Sequence, residues 1–415
     1  MAEFFNVLPP DEARALLLRH VQPLNGIDRL PAAGVLGRVT AEAIHAPHPL
    51  PTFRRSTMDG YAVRAADTHG AGESLPAFLR VVGEVEMGRP AEVIFGRGEA
   101  VIVHTGGMIP PAADAVVQVE HTQVASSAGQ MPFEIEVYRA VAAGQNVIQV
   151  GEDVPQGEEV LPPGFLLRPQ DIGGLLALGI TTVAVTQQPR VMILATGDEI
   201  VSPNVMPGPG QIRDINSYTV AAQVQKAGGL PTVAGIIRDD LGALQAAAAA
   251  ALAGGDMVVL SAGSSVSIRD MTVQVIDGLG EPGVLLHGVA TRPGKPTIVG
   301  VVDGKPIIGL PGNPVSAMIQ FDMFGAPVIR HLQGLRGATQ PNRTWARLTQ
   351  NVPSESGRED YVPAQLIETP DGLQVTPIFG KSNLIYTLIR ADGLIVVPLN
   401  LGGLVAGKLV EVRLF

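Results

Sequence analysis

Acidic and small polar residues recur in this chain where apolar runs stop. VMILAT (191–196) ends at Gly197-Asp198-Glu199, and TVAGII (232–237) runs into Arg238-Asp239-Asp240. MVVLSAGSSVSIRD (257–270) passes through Ser264 and Ser265 to Asp270, and PIIGL (306–310) ends in Pro311-Gly312-Asn313-Pro314. Carboxylates gathered at one edge repel one another unless a cation sits among them, and hard oxygen ligands suit Mg²⁺. Glu199, Asp239, Asp240 and Asp270 are therefore the candidate metal ligands. Arg292 and Lys295, in TRPGKP, are the local positive charges that an anionic ligand needs. Serine- and glycine-rich turns at helix N-termini add backbone N–H donors for phosphate. The chemistry implied is a metal-assisted site for a phosphorylated ligand. Any one of these acids alone reads more simply as a cap or turn residue; the weight comes from their recurrence after successive strands.

The elements that must position them form a regular series between Arg190 and Leu335. Short continuous apolar runs read as strands buried on both faces. Ser217 to Ala227 and LGALQAAAAAALAGG (241–255) read as helices, each stopped by a Gly-Gly pair. A further helix starts near Pro314. Strands alternating with helices predict a doubly wound parallel sheet, which binds ligands in the turns beyond its strand ends. After Pro341 about five short strand-like runs predict a small barrel or sandwich.

Upstream, Pro10 to His20 reads as a helix, with Arg38 to Ala46 as its continuation, and LRPQDIGGLLALGI (167–180) as a second helix returning beside the first. Between them, β-rich runs broken by Gly and Pro predict an inserted β-domain. It carries Asp59-Gly60 in a turn, Thr105-Gly106-Gly107 in a loop open to close anion approach, and the loop QVGEDV with Asp153. Glu120 is grouped with Asp153 as a further acidic candidate.

Composition narrows the field. The net charge of −10 argues against a nucleic-acid surface and requires any anion to be held by local cations or backbone donors. Cysteine is absent, which excludes disulfides, thiolate metal sites and Cys nucleophiles. No G-x-G-x-x-G or P-loop pattern stands at a strand end. His104, His121 and His287 lack a metal-ligand spacing. Acids stand where a signal peptide would be basic, and no apolar run reaches the ~18 residues of a membrane span, so a soluble cytoplasmic protein is expected.

STMDGYA (56–62), HTGGMIPPAADAVV (104–117), VGEDV (150–154), ATGDEI (195–200), GIIRDD (235–240), RPGKP (292–296) and LPGNPVSA (310–317), in this order, resemble the MoeA/gephyrin family, the molybdopterin molybdenumtransferases. The resemblance implies four domains: a helical linker domain from 1–46 plus 151–186, an inserted β-domain at 47–150, a MogA-like α/β domain at 187–336 and a C-terminal β-barrel at 337–415. It also implies a homodimer with its site between subunits, where molybdate is inserted into adenylylated molybdopterin with Mg²⁺ and release of AMP. Carried over by motif, Asp59 and Thr105 come from one subunit and Glu199, Asp239 or Asp240, and Asp270 from the other. Gly263, Ser264, Ser265, Arg292, Lys295, Pro311, Gly312, Asn313, Pro314 and Ser316 become the substrate-binding candidates. A MogA-like adenylyltransferase and molybdoenzymes are the implied functional partners.

Three departures stand out. Ile148-Gln149-Val150 replace an arginine run, Ala262 to Ser267 lacks two of the family's glycines, and Gly288 replaces a basic residue. They predict a pocket less positive than the family norm, and with it three possibilities: a different ligand form, a tungstate-inserting paralogue, or a pterin-binding carrier without turnover.

Overall fold

The computed structural model describes residues 7–126, 130–261, 266–337 and 342–415. At its centre is a six-stranded sheet in the order Leu230–Ile237, Arg190–Thr196, Met257–Ser261, Lys305–Leu310, Ile298–Val302, Pro282–His287. The first four strands run parallel. These are the four strands read from the sequence, and they pair in parallel as expected; two further strands, which the sequence pattern does not pick out, add antiparallel pairings at one edge. The reason is local: Ile298–Val302 and Lys305–Leu310 are joined across Asp303-Gly304, both at positive φ, and two residues can close only an antiparallel hairpin.

Side-chain alternation along these strands assigns each residue to one face. Met257 and Val259 join Val191, Ile193 and Ile308 in one cluster, while Val258 and Leu260 join Leu194 and Ile307 in the other. Helix α3 (Asn216–Lys226) covers the first face through Val220 and Val224. Helices α4 (Leu241–Gly254) and α5 (Val266–Leu279) cover the second, α4 through Leu244, Ala248 and Ala251. The inner strands Arg190–Thr196, Met257–Ser261 and Lys305–Leu310 are buried on both faces, which is why they carry unbroken apolar runs, whereas the edge strand Leu230–Ile237 is exposed or half-buried throughout.

The N-terminal helix α1 (Pro10–Arg19) does not pack beside α2 (Pro169–Ala177). Ala13 and Leu17 enter the first face of the central sheet, whereas Leu175 of α2 packs with Ala32, Val35 and Val183. Two antiparallel strand pairs, Ile27–Pro31 with Thr182–Thr186 and Ile44–His45 with Glu159–Leu161, tie the two halves of this region together. Residues 38–46 are extended and not a helical continuation: Val39 and Thr40 make isolated bridges to Leu166 and Val185. Their β-branched side chains, with Ile44, favour that state. Helix α2 starts in a capping box, where the Arg168 guanidinium and N–H both reach Asp171 and hold its carboxyl below the usual carboxylate range.

The inserted domain is a six-stranded sheet in the order Ala115–Gln118, Gly60–Val63, Glu99–Val103, Ala77–Glu84, Phe133–Val137, Thr122–Ser126. Its two buried clusters draw only on residues between Tyr61 and Val147. The C-terminal strands close a five-membered ring: Glu359–Thr369, Gly372–Pro377, Arg343–Leu348, Leu409–Leu414 and Gly393–Val397, the last pairing back to the first. A short strand from the α/β domain, Thr291–Arg292, joins this barrel, with Arg292 in register with Asp360. Backbone pairing thus fixes the two domains against each other.

Candidate functional site

The strand ends of the central sheet do bring acids together, though with unequal freedom. Strand Arg190–Thr196 stops at Gly197, whose φ of +151° suits glycine, and a Cβ there would lie 2.8 Å from the Glu199 carboxylate. Glu199 is therefore folded back over the turn and half-buried. Asp239 is tied to the same turn: its carboxylate accepts from the Thr196 hydroxyl at 2.9 Å and from the Asp198 N–H at 3.4 Å. Asp240 is spent elsewhere. It caps α4, accepting from the Ala243 N–H at 2.8 Å. Asp239 is thus tied to the turn after the strand and Asp240 to the start of α4, and Asp240→Ala is expected to cost about 1 kcal/mol of stability in thermal unfolding while leaving ligand binding unchanged. Asp270 is exposed on the first turn-and-a-half of α5.

Polar groups absent from the expectations sharpen this edge. Asp214 is buried and accepts from the Ser217 N–H at 3.0 Å, fixing the start of α3. Asn216, also buried, donates to the Ser261 hydroxyl at 3.0 Å and to the Gly312 carbonyl at 2.8 Å, so it joins the end of strand Met257–Ser261 to the Pro311–Pro314 turn. Among the described residues Asn216 Oδ1 and Ser217 Oγ have no hydrogen-bond partner although both are buried. Buried polar atoms are rarely left so, and a polar ligand at this edge would satisfy them. The run Asp-x-Asn-Ser at a helix start is a capping signal that could have flagged all three residues.

The second half of the site is a cleft of about 680 Å³ between the α/β domain and the barrel. Arg292, Lys295, Pro311, Gly312, Asn313 and Ser316 line it, while Pro314 begins α6 (Pro314–Gln320) behind it. Gly263, Ser264 and Ser265 lie outside the described residues. The opposite wall supplies Arg358, Asp360, Lys381 and Ser382, none of which sequence spacing indicated. Arg358 donates to Asp360 at 3.0 Å, and Arg292 pairs with the same carboxylate at 3.6 Å. Asn313 donates to the Ser382 hydroxyl at 2.9 Å, clasping the two walls. Two further cations, Arg358 and Lys381, arrive from the barrel, together with the carboxylate of Asp360.

Asp59 and Thr105 stand together on the inserted domain, the Thr105 N–H donating to Asp59 at 2.8 Å. No hydrogen bond or ion pair among the described residues joins them to the acids of the α/β domain. Glu120 and Asp153 are exposed on separate turns, Glu120 directly after Val119, whose N–H donates to the Asp59 carbonyl at 3.1 Å. Among the described residues no group of three or more acids or histidines forms a metal cage.

Family models match almost the whole chain in order: the MoeA N-terminal region (domain I and II) over residues 8–179, a "probable molybdopterin binding domain" over 192–331, and the MoeA C-terminal region (domain IV) over 345–415. The molybdopterin molybdenumtransferase of Bacillus subtilis is 32% identical over 415 residues, covering 100% of this chain and 95% of that protein. The chain belongs to the MoeA family. The molybdopterin molybdenumtransferase of Haemophilus influenzae is likewise 32% identical, over 99% of both chains. The crystal structure of a molybdopterin biosynthesis MoeA protein from Pyrococcus horikoshii superposes with a TM-score of 0.79 at 36% identity, covering 99% of each chain. In this MoeA-family enzyme of molybdenum cofactor biosynthesis, the cleft spans the junction of the regions matched by the second and third family models. Among the described residues no helix is long and apolar enough to cross a membrane.

Proposed function

We propose that this chain inserts molybdenum from molybdate into molybdopterin, acting on the adenylylated pterin and releasing AMP. The observation that carries the reading is the adjacency of two complementary halves. A cleft lined by Arg292, Lys295, Arg358 and Lys381 suits a tetrahedral oxyanion, and it shares the Pro311–Pro314 turn with the acid-bearing sheet edge. Asn216 Oδ1 and Ser217 Oγ are groups a pterin's polar edge would satisfy. The acids do not form a cage by themselves, and Mg²⁺ is proposed as an ion that arrives on the ligand's phosphates and needs one or two protein carboxylates, Asp239 and Glu199 being the nearest to hand.

The inserted domain has its own core, so Asp59 and Thr105 are proposed to face the acid edge of a second copy in a homodimer. A MogA-like adenylyltransferase would supply the substrate and molybdoenzymes receive the product, in the cytoplasm. The protein, adenylylated molybdopterin, Mg²⁺ and molybdate are mixed and AMP is followed. Molybdate-dependent release that Asp239→Asn and Asp270→Ala abolish is expected. Tight pterin binding with no release above that of the Asp270→Ala protein would replace this reading with a carrier role.

A further inference from the structure

The loop Thr291–Pro296 places two of the cleft's cations, and its underside rests on one residue that does not line the cleft. Gln320, the last residue of α6, is fully buried. Its amide nitrogen donates to the Thr291 hydroxyl at 3.0 Å and to the Pro293 carbonyl at 2.9 Å. These acceptors fix the orientation of the amide, since turning it over would set two oxygens against each other at Pro293. Just after them Gly294, at φ +109°, lies directly on the Gln320 side chain, and any Cβ there would collide with it. The other polar Gln320 atom, Oε1, is buried and has no hydrogen-bond partner among the described residues. A side chain that leaves its own acceptor unsatisfied while its two short donor contacts go to one loop, with only a 3.9 Å contact to Met323 Sδ besides, is poorly explained as core filling.

We propose that Gln320 is a positioning residue for the cationic loop: it fixes Arg292 and Lys295 at the mouth of the cleft without touching the ligand. The same helix begins at the Pro311–Pro314 turn, so α6 sets the spacing between the loop's cations and the turn that faces them. The inference rests on the oxyanion reading of the cleft and deepens it.

The test uses the full-length protein and molybdate alone as the probe. Gln320→Met keeps the length and volume but removes both donors and the orphaned acceptor, so its thermal midpoint is expected to stay near that of the parent. Molybdate affinity by calorimetry is expected to fall about five- to tenfold, and amide exchange across 291–297 to quicken. In an Arg292→Ala/Lys295→Ala background the same substitution should change affinity no further. Unchanged exchange in the loop, or an affinity loss that persists in that background, overturns the proposal. Should Gln320→Met not fold, Thr291→Val removes one of the two bonds and is read the same way. Failure of the parent protein to bind molybdate would sink the oxyanion reading alone, because loop exchange still judges the hold of Gln320.

Discussion

Replacing Arg358 with alanine is expected to weaken molybdate binding in the cleft by about 10- to 100-fold, the range spanned by losing one charge-assisted contact of ~1.5–3 kcal/mol. The guanidinium is already oriented before any ligand arrives. Nε donates to Asp360 at 3.0 Å, Nη1 lies 2.9 Å from Glu355, and the backbone beside it is locked by the Arg292–Asp360 register. A ligand therefore meets a donor whose side-chain entropy has largely been spent in folding, which favours arginine over a freely rotating lysine. Arg358→Lys should accordingly recover only part of the affinity. Alanine also leaves the buried Asp360 with Arg292 alone, so the thermal midpoint must be measured in parallel. Glu355→Ala serves as the control, because Glu355 is an exposed partner whose loss should leave affinity within about twofold. Wild-type affinity in the alanine variant would show that the barrel wall does not hold the oxyanion.

Arg358 also marks where the sequence stops being informative. The central sheet, its helix stops and the acids after its strands were legible because period, capping and turn chemistry are local properties, repeated within each strand-helix unit. Asp239 and Glu199 could be placed at one edge from that pattern alone. Which acid of the Asp239-Asp240 pair faces the site was not legible, because both positions fit a strand-to-helix turn and only the hydrogen bond from Ala243 separates cap from candidate. The barrel's contribution was hidden for a different reason. Arg358, Lys381 and Ser382 reach the cleft through pairing between Thr291–Arg292 and a strand more than sixty residues later in the chain, and nothing in local spacing encodes that register. The antiparallel edge of the sheet and the extended path of residues 38–46 were lost to tertiary pairing in the same way.

Gly60→Ala is expected to be the most damaging single change on the inserted domain, although it adds one methyl group. Gly60 pairs with Val103 on one side and Gln118 on the other, at the centre of three strands. A Cβ at this position would run into the Val117 carbonyl oxygen, with the Val117 carbonyl carbon at 2.9 Å and Gln118 Cα at 3.1 Å. All three obstacles are backbone, so relief requires the strand Ala115–Gln118 to move and its hydrogen bonds to Gly60–Val63 to lengthen. A loss of about 2–3 kcal/mol is the scale expected for such strain. Because the domain's buried clusters share no residue with the rest of the molecule, the loss should appear as an early, separate melting step rather than as a shift of the whole transition. The same movement reaches Asp59, whose carbonyl accepts from the Val119 N–H at 3.1 Å just beyond the displaced strand. Any AMP release that depends on Asp59 should fall even at temperatures where the domain remains folded. A calorimetric trace superimposable on the parent's would mean that the strand yields at no cost, and the argument that glycine is required beside Asp59 would fail with it.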